Sequence, residues 1–124
     1  MYAADTARLP TFALREGGVV VAFMSLVQHF PESWEVHCVA VHADARNQGH
    51  GSALLEHAEQ WLAGQGVKYL QVKTVAHTSK SLAYAQTREF YLARGFAPLE
   101  IFPLLWAPQN PALQLVKLLH AAGP

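Results

Sequence analysis

The sequence is poor in cysteine, since Cys38 is the only one among its 124 residues. A single cysteine excludes an internal disulfide framework. Cys38 lies in an apolar stretch, so we expect its side chain to pack as a small apolar group rather than to act as a nucleophile. No apolar run approaches the ~20 residues of a membrane span. The N-terminal stretch resembles neither a signal peptide nor a transit peptide. These absences predict a cytoplasmic protein without a membrane partner.

The sequence also lacks an excess of charge of either sign, because nine basic residues balance nine acidic ones. Such a chain has no general positive field with which to attract nucleic acid or an anionic membrane. We therefore expect no nucleic-acid partner, and any phosphate must be bound by a local site. The length suits one domain, and the hydrophobic fraction of 52% is enough for a single core.

The most informative stretch runs from Trp34 to Leu55. Its first part, Glu35 to His42, is rich in apolar and β-branched residues, which predicts a buried strand. A turn follows, and after Gly51 apolar residues recur at the spacing of an amphipathic helix. These residues are Leu54, Leu55, Ala58, Trp61 and Leu62. Between strand and helix lies the pattern Arg-x-x-Gly-x-Gly, at residues 46–51.

A strand that leads into a helix through two glycines can bind phosphate. The first N–H groups of a helix have no intrahelical partner and lie at the positive end of its dipole. Gly49 and Gly51 let the backbone approach a ligand, and Asn47 tolerates a left-handed conformation. A dinucleotide-binding fingerprint would need a small residue at Leu54, and a P-loop would need Gly-Lys-Ser/Thr; the sequence has neither. The alternatives are a pyrophosphate site and an ordinary turn.

Two motifs resemble those of the GNAT superfamily of acyl-CoA-dependent N-acyltransferases. The pattern at residues 46–51 is similar to its pyrophosphate signature, and Phe-Tyr-x-x-x-Gly-Phe at residues 90–96 is similar to the end of a later helix. As a succession of elements the similarity covers about residues 11–119. It implies an N-acetyltransferase that uses acetyl-CoA as co-substrate. A non-catalytic acyl-CoA sensor or subunit and a plain interaction domain are the alternatives.

The predicted elements follow in an order that agrees with this resemblance. Strands are expected at Thr11–Glu16, Val19–Phe30, Glu35–His42, Lys68–Val75, Phe96–Trp106 and Ala112–Leu119. The first three form an antiparallel meander with a Gly17-Gly18 turn, and Pro98 and Pro103 make the fifth an irregular or edge strand. Helices are expected from about Gly49 to Ala63, and from a cap at Ser79 or Ser81 to Arg94, with Gly95 as the left-handed C-cap.

The fold class is therefore α/β, in one GNAT-like domain over residues 1–124. Its sheet is mixed and mostly antiparallel, with a central splayed pair of parallel strands and at least two helices. Members of the superfamily usually begin with a further strand and one or two helices that shape the acceptor side of the cleft. We expect these elements to be missing, very short or supplied by another subunit, because only about ten residues precede Thr11.

The resemblance also implies which residues bind the cofactor. The loop and the start of the helix would hold the pyrophosphate, through Arg46, Asn47, Gln48, Gly49, His50, Gly51 and Ser52. The pantetheine arm would lie along the preceding strand, hydrogen-bonded to backbone groups of Val39, Ala40 and Val41. An asparagine that often binds pantetheine in this family is replaced here by Tyr84. On the same helix stripe as Tyr84 lie Thr87, Arg88 and Tyr91.

Acyl transfer to an amine requires a proton acceptor for the amine and a proton donor for the departing thiolate. By resemblance, Tyr91 is the general acid, and a phenol with an ordinary pKa of about 10 is protonated at neutral pH. Glu35 is the candidate general base, because glutamates at the matching place serve so in related enzymes. Because successive side chains of a strand point to opposite faces, His37 is expected on the same face as Glu35, together with Val39 and Val41. His37 is therefore a second candidate base. An ordered water or an already deprotonated acceptor could replace either base.

The remaining expectations concern metals and partners. The seven histidines show no spacing of known metal ligands, so no metal site is predicted. The acceptor is a small-molecule amine or a protein amine, and the sequence does not decide between them. The apolar closing segment with Phe102, Leu104, Leu105 and Trp106 is expected to pack in the core, with a homodimer surface as the alternative.

Overall fold

The computed structural model describes residues 10–76, 82–107 and 110–119. These residues form two compact units, of which the first contains residues 10–68 with Leu119 and the second Tyr69–Leu118. The described part of the chain contains six strands and two long helices, so the prediction of a mixed α/β fold is confirmed. Whether residues 1–124 act as one domain stays a prediction.

The first unit begins with the predicted antiparallel meander. Its strands are β1 (Thr11–Glu16), β2 (Val19–Phe30) and β3 (Ser33–Val41). Gly17 and Gly18 form the first turn with φ of 58° and 81°, and Glu16 pairs with Val19 directly beside it. A two-residue hairpin turn needs these left-handed dihedrals to match the twist of its strands. The Gly-Gly signal therefore predicted the turn correctly.

Strand β3 is less buried than predicted. Val36 is buried, but Val39 is 39% exposed, Ala40 is exposed and Cys38 is half-buried. The central core of this unit lies instead on β2, where Met24 and Leu26 are fully buried. The apolar run of β3 correctly predicted a strand and overestimated its burial.

A β-bulge interrupts β3 at His37. Ser25 on β2 is opposite Cys38, whereas the next residue, Leu26, is opposite Val36, which leaves His37 as the extra residue. A bulge re-aims side chains and breaks the strict alternation of faces. The common face that we predicted for Glu35, His37 and the following valines therefore does not continue unbroken along the strand.

The first helix, α1 (His50–Gly64), follows the loop after β3. Four of the five residues in its predicted apolar stripe are buried, and they are Leu54, Leu55, Ala58 and Leu62. Trp61 is half-buried and packs its ring against Phe12 and Trp34. The helix ends at Gly64, and Gly66 beyond it has a φ of 82°. Both ends lie within one residue of the prediction.

The second unit contains β4 (Tyr69–Val75), α2 (Leu82–Ala93), β5 (Ala97–Ala107) and β6 (Asn110–Leu118). Strand β6 pairs antiparallel with β4 on one side and with β5 on the other. The predicted left-handed C-cap of α2 is confirmed, because Gly95 has a φ of 94°. The proposed N-caps, Ser79 and Ser81, lie outside the described residues.

Strand β5 is the irregular edge strand that its prolines predict. Among the described strands it pairs with β6 alone, and its register shifts between Pro98 and Glu100 and again after Phe102. The prediction that its apolar segment packs in the core was wrong, because Leu104 is 81%, Leu105 51% and Trp106 50% exposed. Neither helix in the described part of the chain is long and apolar enough to cross a membrane.

Candidate functional site

The loop between β3 and α1 begins with a short 3-10 turn, Ala43–Ala45. The N–H of His42 donates to the Val21 carbonyl at 2.7 Å, which fixes the end of β3 to β2. The ring Nδ1 of His42 then accepts a hydrogen bond from the N–H of Asp44 at 3.2 Å. His42 therefore caps the turn through its side chain, a role that the sequence did not reveal.

Two residues of the predicted pyrophosphate loop adopt left-handed conformations. Asn47 has a φ of 63°, and Gly49, the N-cap of α1, has a φ of 80° and a ψ of 10°. Asparagine and glycine are the residue types that visit this region most easily. A Cβ atom built on Gly49 would meet no protein atom within 4 Å. The space beside this glycine is therefore open to a ligand.

The N-terminus of α1 is suited to an anion. No side chain caps it, and its first turn contains no acidic residue. The first hydrogen bond of the helix runs from the Ala53 N–H to the Gly49 carbonyl at 3.0 Å. The preceding N–H groups have no partner within the helix and lie at the positive end of its dipole. Arg46, Asn47 and Gln48 are exposed beside them.

The ring of His50 is buried beside Glu16. The residue is 9% exposed, and its ring Nε2 lies 3.4 Å from Oε1 of Glu16 at the end of β1. The two atoms are close enough for an ion pair, but the geometry is not that of a hydrogen bond. Among the residues that the structure describes, Nε2 has no hydrogen-bond partner. The sequence did not predict this proximity, because Glu16 is distant from the loop along the chain and reaches it only through the β1–β2 hairpin.

Glu35, the candidate base, is paired with a histidine. His29 Nε2 lies 2.6 Å from Glu35 Oε1, and the side chain of Glu35 is only 12% exposed. Sequence reasoning considered His37 near Glu35 and overlooked His29. His37 is exposed and occupies the bulge of β3.

Tyr91, the candidate acid, lies on α2 in the second unit. Its residue is 3% exposed, and its ring makes edge contacts with Phe90 and Phe96 at centroid distances of 5.2 and 5.3 Å. Burial raises the pKa of Tyr91 to about 12, because the phenolate would lose its solvation. The phenol is therefore fully protonated at neutral pH, as a proton donor must be.

The predicted helix stripe around Tyr91 has mixed roles. Arg88 Nη1 donates to the carbonyls of Val75 and Ala76 at 2.8 and 3.1 Å, so its charge is held at the end of β4. The Thr87 hydroxyl donates to the Ala83 carbonyl one turn back, at 3.1 Å. Tyr84, at the position of the family asparagine, is 38% exposed.

A cavity of about 640 Å³ lies in the second unit. Its walls come from α2, β5 and β6, through Ala85, Arg88, Glu89, Leu92, Pro98, Leu99, Glu100, Ile101 and Leu113. Tyr91 is not part of this lining. The described residues include no group of three or more His, Cys, Asp or Glu side chains that could hold a metal ion.

Comparison with known proteins places these features in a family. A family model of GNAT acetyltransferases matches residues 2–96. No curated protein matches the chain. Among solved structures, the ribosomal-protein-S18-alanine N-acetyltransferase of Escherichia coli is 26% identical, with a TM-score of 0.78. The match covers 98% of this chain and 77% of the other.

Two further structures resemble the chain in fold and contain the cofactor. An aminoglycoside 6'-N-acetyltransferase complexed with coenzyme A is 17% identical, with a TM-score of 0.79 over 99% of this chain and 79% of the other. A GNAT family acetyltransferase of Elizabethkingia anophelis with acetyl-CoA bound is 17% identical, with a TM-score of 0.80 over 95% and 82%. The predicted fold class, mostly antiparallel with one parallel pair of strands, is thereby confirmed. The chain belongs to the GNAT family and is an acyl-CoA-dependent N-acetyltransferase.

Proposed function

We propose that this protein transfers an acetyl group from acetyl-CoA to a primary amine by direct attack. The observation that carries the proposal is the loop before α1. There the left-handed Gly49 leaves open space beside an N-terminus that has no side-chain cap and no acidic residue in its first turn. This arrangement suits the doubly charged pyrophosphate of coenzyme A. Exposed Arg46 adds a positive charge to the same loop.

The cofactor would be held by the residues that the sequence indicated. Backbone groups of Arg46, Asn47, Gln48, Gly49, His50, Gly51 and Ser52 bind the pyrophosphate. The pantetheine arm bonds to the backbone of Val39, Ala40 and Val41, and the exposure of Val39 and Ala40 supports this role. The strand contributes main-chain atoms, so its side chains need not be polar.

In the proposed reaction one side chain accepts a proton and another donates one. The acceptor ammonium gives a proton to Glu35, and the freed lone pair attacks the thioester carbonyl carbon. When the tetrahedral intermediate collapses, the carbon–sulfur bond breaks and the thiolate takes a proton from Tyr91. The nitrogen releases its second proton to water, and the Tyr91 phenolate takes a proton back from water, so the amide forms and the phenol is restored. The pKa of Tyr91, which burial raises to about 12, is compatible with this role, because the phenol is protonated at neutral pH. His37 is the alternative base, and its exposed position in the bulge makes it accessible.

The acceptor is a small-molecule amine or a protein amine. The structurally similar enzymes act on both kinds, since one is named for ribosomal protein S18 and another for aminoglycosides. We further propose that the enzyme works in the cytoplasm without nucleic acid. The exposed Leu104, Leu105 and Trp106 support a homodimer. Sedimentation tests this proposal, and a monomer at high concentration would contradict it.

Calorimetric titration with acetyl-CoA tests the cofactor loop. In a Gly49→Ala variant, affinity should fall tenfold or more, which corresponds to about 1.4 kcal/mol. Gly66→Ala is the matched control, because Gly66 has nearly the same φ, 82° against 80°, and also has no atom within 4 Å of a built Cβ. Both variants place a Cβ at nearly the same positive φ, so the difference in affinity between them reports the effect on the ligand. Equal affinities would contradict the pyrophosphate site.

An amine screen then separates an enzyme from an acyl-CoA sensor. The release of free CoA thiol is measured with small amines and with peptides that carry a free N-terminus or a lysine. Turnover with at least one amine is expected, and a Tyr91→Phe variant should lower kcat while acetyl-CoA still binds. Binding without turnover for every amine would favour the sensor. Unchanged turnover in Tyr91→Phe would remove the acid role.

A further inference from the structure

The cavity of about 640 Å³ in the second unit lies between one face of α2 and the edge of the sheet. Its α2 residues follow the spacing that places side chains on a common helix face. These residues are Ala85, Arg88, Glu89 and Leu92. On the sheet side, β5 contributes residues 98–101, and Leu113 of β6 lies opposite Ile101. The volume lies within the range of small-molecule sites in proteins, about 300–1,000 Å³.

Several apolar side chains of this lining remain in contact with water. Leu99 is 60% exposed, Leu92 39% and Ile101 37%, although all three line the same concave surface. Leu99 is the extra residue of a β-bulge between Pro98 and Glu100, and a bulge re-aims side chains. A ligand that covers these side chains removes apolar surface from water, which is favourable. The cavity therefore suits a ligand with an apolar body.

The charged residues of the lining indicate the sign of the ligand. Arg88 Nη1 donates to the carbonyls of Val75 and Ala76, so this guanidinium is anchored at the end of β4. Glu89 and Glu100 are exposed, and no ion pair or side-chain hydrogen bond joins either of them to another described residue. Two carboxylates and one guanidinium leave the lining with a net negative charge. An ammonium group complements that charge.

We propose that this cavity binds a small ammonium ion with an apolar body, as in a primary arylalkylamine. The ammonium donates hydrogen bonds to the carboxylate of Glu89, and Glu100 adds negative potential. The apolar body covers the exposed leucine and isoleucine side chains of the lining. Tyr91 is not part of the lining, so binding in this cavity requires neither acetyl-CoA nor turnover.

Titration with 4-phenylbutylamine in the absence of acetyl-CoA tests the proposal. Two comparison ligands keep the phenyl ring and the chain, of which 4-phenylbutan-1-ol is neutral and 4-phenylbutanoate is an anion. We expect millimolar affinity for the amine, about fivefold weaker binding of the alcohol and still weaker binding of the anion. Chemical shifts of backbone amides in α2, β5 and β6 should change in NMR spectra. Binding of the anion as tight as that of the amine would overturn the proposal.

Substitution of Glu89 tests the charged contact. Glu89→Gln removes one negative charge and retains the shape, so affinity for the amine should fall about three- to fivefold. Affinity for the alcohol should stay unchanged. Glu56→Gln, at an exposed position of α1 in the first unit, is the matched control for a general effect of net charge. Equal affinities of the two variants for the amine would contradict the role of Glu89 and overturn the proposal.

A second pair of variants tests the location of the site. Ala85→Phe adds a ring to the lining, whereas Ala83→Phe adds the same ring at an exposed position of α2 outside it. Only the first should weaken binding of the amine and the alcohol alike, and equal affinities would overturn the proposal. If Ala85→Phe fails to fold, the glutamate variants and the amide shifts decide.

The same titration distinguishes this site from the proposed acceptor position. Amide shifts centred on β3 around Glu35 instead of α2 would place the amine at the proposed base and would overturn the cavity proposal. A protein that acetylates no amine but binds 4-phenylbutylamine at α2 would overturn the proposed function and support the cavity site.

Discussion

The indole rings of Trp34 and Trp61 meet edge to face, with 5.7 Å between their centroids and 86° between their planes. Trp61 also meets Phe12 at 5.5 Å, and Phe12 meets His57 at 4.8 Å. These ring contacts join α1 to β1 and β3. Since α1 begins with the cofactor loop, the aromatic cluster fixes the position of that loop relative to β3.

Removal of the Trp61 ring should therefore loosen α1. We expect Trp61→Ala to lower the free energy of unfolding by about 2–4 kcal/mol, because it deletes a large, partly buried side chain and leaves a cavity. Gln60→Ala, at an exposed neighbour on the same helix, should change it by about 0.5 kcal/mol or less. Urea unfolding measures both. Similar values for the two variants would show that the ring cluster contributes little.

Arg88 joins α2 to the end of β4 through two carbonyls. Arg88→Met keeps an unbranched apolar stem but loses the charged donor, and it leaves the carbonyls of Val75 and Ala76 without that partner. We expect a loss of about 1.5–3 kcal/mol in the free energy of unfolding. Glu89→Gln, at the next and exposed position, is the control, and equal effects of both variants in urea unfolding would contradict the prediction.

The sequence predicted best what depends on local conformation. The Gly17-Gly18 turn, the left-handed Asn47 and the C-cap at Gly95 each follow from the dihedral preferences of single residues. The boundaries of α1 follow from its apolar period and from the glycines that flank it. The loop at residues 46–51 was also predictable, because its conformation depends on a few neighbouring residues.

Features that depend on the pairing of strands could not be predicted from the sequence. The bulges at His29 and His37 depend on which residues of β2 and β3 face each other, and no sequence pattern states that register. For the same reason the partner of Glu35 was missed, although it lies only six residues away. Apolar composition likewise does not distinguish the buried Val36 from the exposed Val39 or Leu104, because burial depends on what packs above each strand.

Two glycines at the end of α1 should respond oppositely to alanine. Gly64 is the exposed last residue of the helix, and a Cβ there meets no atom within 4 Å. Gly64→Ala should raise the free energy of unfolding by about 0.5 kcal/mol, because alanine restricts the unfolded chain and favours the helix. Gly66 has a φ of 82°. Gly66→Ala should lower the free energy of unfolding by about 1 kcal/mol, because a Cβ is strained in the left-handed region. Thermal unfolding of both variants measures the signs, and two changes in the same direction would contradict this assignment of the helix end.

The buried phenol of Tyr91 should make the stability of the protein depend on pH in the alkaline range. Its pKa is raised from 10.0 to about 12 by burial. Below pH 10 the folded and unfolded chains both hold the proton, so this contribution to stability is complete and constant. Between pH 10 and 12 the unfolded chain releases the proton and the folded chain retains it, so the free energy of unfolding decreases as pH rises. The total loss amounts to about 2–3 kcal/mol.

Lysines also titrate in this range, and Tyr91→Phe separates their effect from that of the phenol, because it retains the ring and removes the ionisable group. Urea unfolding at intervals from pH 9 to 12 should show a steeper decline in the wild type than in Tyr91→Phe. Parallel curves would contradict the raised pKa of Tyr91, because they would mean that the phenol ionises as easily in the folded protein as in the unfolded chain.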